Sequence, residues 1–352
     1  MHGKAGKEQL AESRTTTLKD VAARAGVSIM TVSAVVNGKS AESRISEPTR
    51  RRVEEVARMM NYRPNALARS LRTRRSNVIG FYSSYPYMSV EQPFMRHVFG
   101  GLMDGCNAIE RELLIFQQHS EQHGEQLYAR MVDRRVDGII VFAGQRDPVA
   151  ELLRQRDLPV VTIESVLEPL PAVTVEDEDG MVQLTTYLHQ RNHQHIAYYC
   201  PSHQVSSNVR RARGIHSTVL NLHMKLEIVP EPDLFSAWAT GHWQRALEDW
   251  LDEWEQREVQ ARPTAVICWC DDRAAFLIES CRNRGIDVPG QLAVAGFDGF
   301  APAENQMPMT AVRAPWKQVA QTAVSLVEAL CNGESVPTET RLPVELVTGF
   351  SA

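Results

Sequence analysis

His189, His193 and His195, with His203 beyond them, are spaced closely enough to suggest a metal cluster. Zinc would need further donors in a defined pattern, and no cysteine or carboxylate completes such a set. A β-strand beginning at His195 accounts for these residues structurally, so no metal is expected. Cys268-Trp269-Cys270 falls in an apolar run, where thiols act as small hydrophobes. The chain carries no Gly-rich phosphate loop of the P-loop type and no Gly-x-Ser-x-Gly nucleophile elbow. With no nucleophile–base constellation, neither an enzyme nor a cofactor is expected.

The chemistry that remains is electrostatic. Residues 1–76 carry 16 Lys/Arg against 7 Asp/Glu, while the rest carries 22 against 36, so the net charge of -5 conceals a basic head on an acidic body. Such a head suits a polyanion, although a solvated Arg-rich surface would look similar. At 352 residues the chain exceeds one ordinary core, so two or more domains are expected. A hydrophobic share of 43% excludes wholesale disorder. Six sparse, irregularly placed cysteines argue against a disulfide framework. No apolar run approaches the roughly 18 residues of a membrane helix. No apolar segment follows Met1–Lys7 to act as a secretory leader. A soluble protein of the reducing cytoplasm is expected, with no membrane partner.

The elements that must position this charge are helical in the head. Leu18, Val21, Ala22 and Ala25 make one apolar helix face, and Gly26 breaks it. Ser28 can cap a second helix from about Ile29 to Asn37, with Val32, Val35 and Val36 inward. Ser46 can cap a third, with Pro48 in its first turn and a stripe of Val53, Val56, Ala57 and Met60. Three such helices, the second short and preceded by Gly-Val-Ser, read as a helix-turn-helix DNA-binding unit. From Asn77 apolar strands alternate with helices. Strands are expected at 78–82, 113–116, 138–142, 158–163, 195–199, 265–269 and 292–297, and helices at 99–112 and 127–135. Alternation of this kind means parallel sheets covered on both faces. The length suits two lobes, with ligand at the carboxyl ends of the strands, between them.

Thr17 through Ser28, then Thr31-Val32-Ser33, Val36-Asn37-Gly38, Ile45 through Arg50, and Asn61 through Arg72 together resemble the LacI/GalR transcription regulators. The resemblance continues, less densely, through Arg135-Val136-Asp137-Gly138-Ile139-Ile140, Arg210 to Gly214, Asp271 to Ala275, Val288-Pro289 and Val294 to Asp298, and so spans residues 17 to about 350. It implies an α/β protein: an N-terminal three-helix helix-turn-helix domain, then a periplasmic-binding-protein-like core of two doubly wound parallel-sheet lobes. The expected boundaries are a flexible tail at 1–16, the DNA-binding domain at 17–62, a hinge helix at 63–76 and an effector-binding, dimerising core at 77–352. Lobe 1 would hold about 77–172 and 315–335, and lobe 2 about 173–312 and 340–352.

The resemblance also assigns roles. The helix after Ser28 would enter the major groove, with Ile29, Met30 and Ala34 at base edges. Ser28, Thr31 and Ser33 would hold phosphates. DNA contact would extend to Thr17, Asn37, Tyr62 and Asn65. Position 34 often carries a hydrogen-bonding residue in the family and is alanine here. So apolar a reading face can touch thymine methyls but cannot pair with guanine, which implies T-rich half-sites or heavier use of the minor groove. Burial of Ile29 or Met30 in the core is the alternative. The loop from Gly38 to Arg44 is about three residues longer than usual. Within the hinge, Arg69 would add backbone charge, and Leu71 would wedge between central base pairs. Ser84, Glu164, Arg211, Phe235, Asp271 and Asp298 would line the effector cleft, a chemistry suited to a hydroxyl-rich ligand. Asp271 could instead cap the helix after it. Tyr82, Tyr85, Tyr87, Phe94 and Trp269 could reach the cleft or simply pack.

The expected protein is a repressor, a homodimer or larger assembly on a pseudo-palindromic double-stranded operator, controlled by a sugar or related small-molecule effector. A small-molecule binding module with non-specific or vestigial DNA binding is the competing reading.

Overall fold

The computed structural model describes residues 16–37, 45–64, 70, 73, 75–85, 89–117, 124–155, 157–201, 206–231, 242–300 and 308–352. The chain divides into two units, residues 1–76 and 77–352.

In the first unit three helices enclose a small core: α1 (Leu18–Ala25), α2 (Ile29–Val36) and α3 (Glu47–Met59). Thr17 starts α1 with a capping box. Its hydroxyl lies 2.7 Å from Asp20 Oδ2, and that carboxylate also accepts from the Thr17 amide at 2.9 Å. Gly26 ends the helix at φ 65°, a left-handed geometry that costs a side chain about 1–2 kcal/mol. Ser28 then caps α2, its Oγ accepting from the Thr31 amide at 3.1 Å. Ser46 precedes α3 but makes no side-chain cap; its hydroxyl pairs with that of Thr49 at 2.9 Å. Val21, Val32 and Val53 are fully buried where the three helices meet.

The second unit holds two six-stranded sheets. The first runs β11-β5-β4-β3-β1-β2 and is wholly parallel: β1 (Val78–Ser83), β2 (Glu112–Phe116), β3 (Gly138–Phe142), β4 (Val160–Ile163), β5 (Ala172–Val175) and β11 (Glu339–Leu342). Its helices are α4 (Pro93–Ala108), α5 (Gly124–Met131), α6 (Pro148–Leu153) and α11 (Trp316–Cys331). The second runs β12-β10-β9-β8-β6-β7: β6 (His195–Pro201), β7 (Lys225–Glu231), β8 (Ala265–Cys268), β9 (Ala293–Asp298), β10 (Ala311–Arg313) and β12 (Glu345–Val347). Here β12 is antiparallel to β10 and the other pairings are parallel. Its helices are α7 (Asp177–Gln190), α8 (Ser206–Asn221), α9 (His242–Gln256) and α10 (Asp271–Arg284). Apolar side chains fill both faces of each sheet, which is why the strands read as continuous hydrophobic runs.

Four boundaries differ from expectation. Residues 173–175 complete β5 and residues 340–342 lie in β11, so both belong to the first sheet rather than to lobe 2. The helix expected at 99–112 begins at Pro93 and ends at Ala108, because proline fits a first turn. The helix expected at 127–135 ends at Met131. The six cysteines are all free. Among the described residues, no helix is long and apolar enough to cross a membrane.

Candidate functional site

The head presents α2. Val32 and Val35 point into the core, while Ser28, Ile29 and Met30 are exposed, Ile29 at 48% and Met30 at 84%. The alternative that either apolar side chain is core is therefore excluded. The Ser28 and Thr31 hydroxyls pair with each other at 2.9 Å. Asn37 folds back on its own helix, Nδ2 donating to Ser33 O at 2.6 Å and to Ser33 Oγ at 3.2 Å. Ala34 is half-buried. Tyr62 packs partly against the three-helix core, and burial pushes its phenol up. Thr17 is exposed and engaged in its capping box. Asn65, Arg69 and Leu71, with the long loop at 38–44, lie outside the described residues.

In the second unit a cleft of roughly 540 Å³, counted out to its open mouth, lies at the carboxyl ends of the strands. The ends of β3, β4, β8 and β9 meet there, so the cleft is built by the common direction of these parallel strands. Glu164 follows β4, Trp269 and Cys270 follow β8, and Asp298 closes β9. Arg211 comes from α8, while α4 and α11 offer their first turns through Phe94, Met95 and Trp316. Two of these residues have left-handed backbones, Glu164 at φ 68° and Asp298 at φ 125°. Positive φ in a residue with a side chain is strained and collects at ligand sites.

Hydrogen bonds cross the cleft between lobes. Trp316 Nε1 donates to Asp298 Oδ1 at 2.9 Å. The Ser207 hydroxyl donates to Glu164 Oε1, and the Ser165 hydroxyl to Glu164 Oε2 at 2.8 Å. Arg210 Nη2 reaches Glu164 O at 3.1 Å. Arg211 is held from three sides: Nε donates to Asp177 Oδ1 at 2.8 Å, Nη1 to Trp269 O at 2.5 Å, and its carbon centre lies 3.5 Å over the Phe297 ring. Arg210 shares the same Asp177, at 2.7 Å. Burial raises the Glu164 carboxyl above the usual range, against the pull of Ser207. Burial also pushes Asp298 up to about 7, against the pull of Arg211 and the Trp316 indole. Asp271 is raised too, by burial and then by the charge of Asp298.

Of the expected cleft residues, Glu164, Arg211 and Asp298 are brought together. Asp271 is not in the wall. Its Oδ2 turns to accept from the Phe300 amide at 2.9 Å, so it holds the segment after β9, and Asp272 takes the wall position. Nor does Asp271 cap α10, whose cap position is Cys270. Ser84 follows β1, its amide bonded to Phe142 O at 3.1 Å and its hydroxyl buried, and it does not line the cleft. Phe235 lies outside the described residues. Phe94 and Trp269 do line it, whereas Tyr82 donates to Asp147 at 3.0 Å and Tyr85 packs on Phe142. Sequence reading missed Trp316, Phe142, Ser207 and Asp177. His193 Nδ1 lies 2.9 Å from Thr264 Oγ1, a structural role. Among the described residues, no three His, Cys, Asp or Glu are grouped to hold a metal.

Comparison with known proteins places this geometry. Residues 17–65 match the profile of bacterial regulatory proteins of the lacI family, and residues 185–352 that of the periplasmic binding protein-like domain. The chain is 29% identical to the HTH-type transcriptional repressor PurR of Aliivibrio fischeri, over 88% of this chain and 90% of that one. It is 28% identical to the HTH-type transcriptional regulator GalR of Escherichia coli, over 91% of both. Its fold matches the crystal structure of the lac repressor dimer bound to operator and the anti-inducer ONPF with a TM-score of 0.78, covering 96% of this chain and 99% of that one at 23% identity. The chain therefore carries a lacI-family DNA-binding domain at residues 17–65 and a periplasmic-binding-protein-like domain at residues 185–352, and its homologues are LacI/GalR-family helix-turn-helix transcriptional regulators.

Proposed function

We propose that this regulator is a cytoplasmic repressor that binds a pseudo-palindromic operator as a homodimer and is controlled by a hydroxyl-rich small molecule in the cleft. Residues 17–62 read DNA, residues 63–76 act as the hinge, and residues 77–352 sense the effector and dimerise. The observation that carries the effector reading is the cleft itself, where Trp316 of one lobe bonds Asp298 of the other. A ligand there must exchange contacts with both lobes, so it can bias their arrangement.

The lining supports the ligand class. Glu164, Asp272 and Asp298 accept hydroxyl hydrogens, Arg211 donates, and Phe94, Phe142, Trp269 and Trp316 offer aromatic faces to the apolar side of a sugar ring. Three acids against one arginine disfavour a strongly anionic ligand. PurR is named a repressor, and the lac repressor structure holds operator and anti-inducer, which agrees with this reading.

The test is a panel of pentoses, hexoses and disaccharides, with purine bases included, titrated against full-length protein. Tryptophan emission reports the cleft, and operator affinity reports the output. At least one sugar is expected to move both, changing operator affinity about 5–150-fold. Asp298→Asn is expected to weaken that sugar at least tenfold. A response confined to purine bases overturns the hydroxyl-rich assignment, and cleft binding with no effect on operator affinity overturns effector control.

A further inference from the structure

The polar side chains of α2 are engaged within their own helix. The Ser28 hydroxyl accepts from the Thr31 amide and pairs with the Thr31 hydroxyl. The Asn37 amide nitrogen is bound twice to Ser33. What projects from the start of α2 is Ile29 and Met30, the latter among the most exposed large apolar residues described. Exposure of such side chains on a helix this short is unfavourable in water, and burial against another apolar group would recover it.

The major groove offers one apolar group, the C5-methyl of thymine, and cytosine acquires the same group only on methylation. We infer that Ile29 and Met30 read pyrimidine C5-methyl groups, so that operator specificity rests on methyl contact rather than on hydrogen bonds to base edges. This rests on α2 being the helix that enters the major groove. A thioether on three rotatable bonds suits the task, because it can settle over a methyl whose position varies with local DNA shape. Methyl reading also makes 5-methylcytosine equivalent to thymine at these positions, which a hydrogen-bonding reader of adenine would reject.

The experiment uses full-length protein and the operator obtained by selection from random DNA. Each thymine of one half-site is replaced by deoxyuridine, which removes the methyl and leaves every hydrogen-bonding group in place. At one or two positions per half-site, affinity is expected to fall about fourfold for each methyl removed. Restoring the methyl with 5-methylcytosine, opposite guanine, is expected to recover binding relative to unmethylated cytosine at the same position. Met30→Ala and Ile29→Ala should each lose discrimination at the methyl that side chain reads, and the double variant should bind the thymine and deoxyuridine operators alike while still folding, because neither side chain is core. Deoxyuridine binding within twofold of thymine throughout the half-site overturns the inference, as does discrimination that survives in the double variant. Either result leaves the regulator reading intact, whereas failure to enrich any operator counts against that reading instead.

Discussion

Asp177 accepts from Arg210 and Arg211 together, with its own side chain fully buried. Removing it strands two guanidinium groups in a poorly solvated place. Asp177→Ala is expected to cost about 3–5 kcal/mol, read by urea unfolding of the full chain. A cost under about 1 kcal/mol would show that the arginines find other acceptors. Asp298 gives a pH dependence. An acid that holds its proton more tightly when folded makes the folded state lose stability as pH rises from the unfolded value, about 3.9, towards about 7. Asp298→Asn should remove that loss, so the variant gains on the wild type across this window. Parallel stability curves would contradict it. At this scale the sequence was partly legible. Arg211 and Asp298 sit in recognisable motifs, whereas Glu164 rested on the register of the strand before it. Asp177 was hidden because Glu176 to Asp179 looks like an ordinary acidic helix start. Asp271 and Asp272 differ by one residue, and only the turn after β8 decides which faces the cleft.

At the scale of elements, local chemistry was the better guide. Thr17, Gly26 and Ser28 punctuate α1 and α2 through caps that depend on near neighbours alone. Thr17→Ala is expected to destabilise the head by about 1 kcal/mol, seen as a lower melting midpoint for the helix-turn-helix signals. An unchanged midpoint would mean Asp20 alone sustains the cap. Close helix packing depends on distant partners and was less visible. A Cβ on Gly214 would meet Glu178 O at 2.3 Å, so α8 must move away from α7 to accept one. Since α8 carries Arg210 and Arg211 and α7 carries Asp177, Gly214→Ala is expected to lose effector binding as well as stability. Retained effector affinity in a destabilised variant would separate the two. β10, β11 and β12 escaped the sequence because each is only three or four residues long and includes a charged side chain, leaving no continuous apolar run or period to read. β7 was missed because, at a sheet edge, it mixes charged and apolar residues.

At the scale of the molecule, the two units carry opposite charge, with the excess of Lys and Arg confined to residues 1–76. Operator affinity should therefore fall steeply with salt, log K declining against log salt with a slope of about -0.9 for each phosphate neutralised. Charge alone binds any DNA, so salt dependence does not separate a regulator from a non-specific head. The direct measurement is selection of fragments from random double-stranded DNA by the purified full-length protein at physiological salt. An enriched inverted repeat, bound more than roughly 10³-fold tighter than unrelated DNA, is the result expected of a symmetric operator-binding regulator. Equal, salt-dependent affinity for every sequence, with the protein folded and cleft ligand supplied, would contradict it.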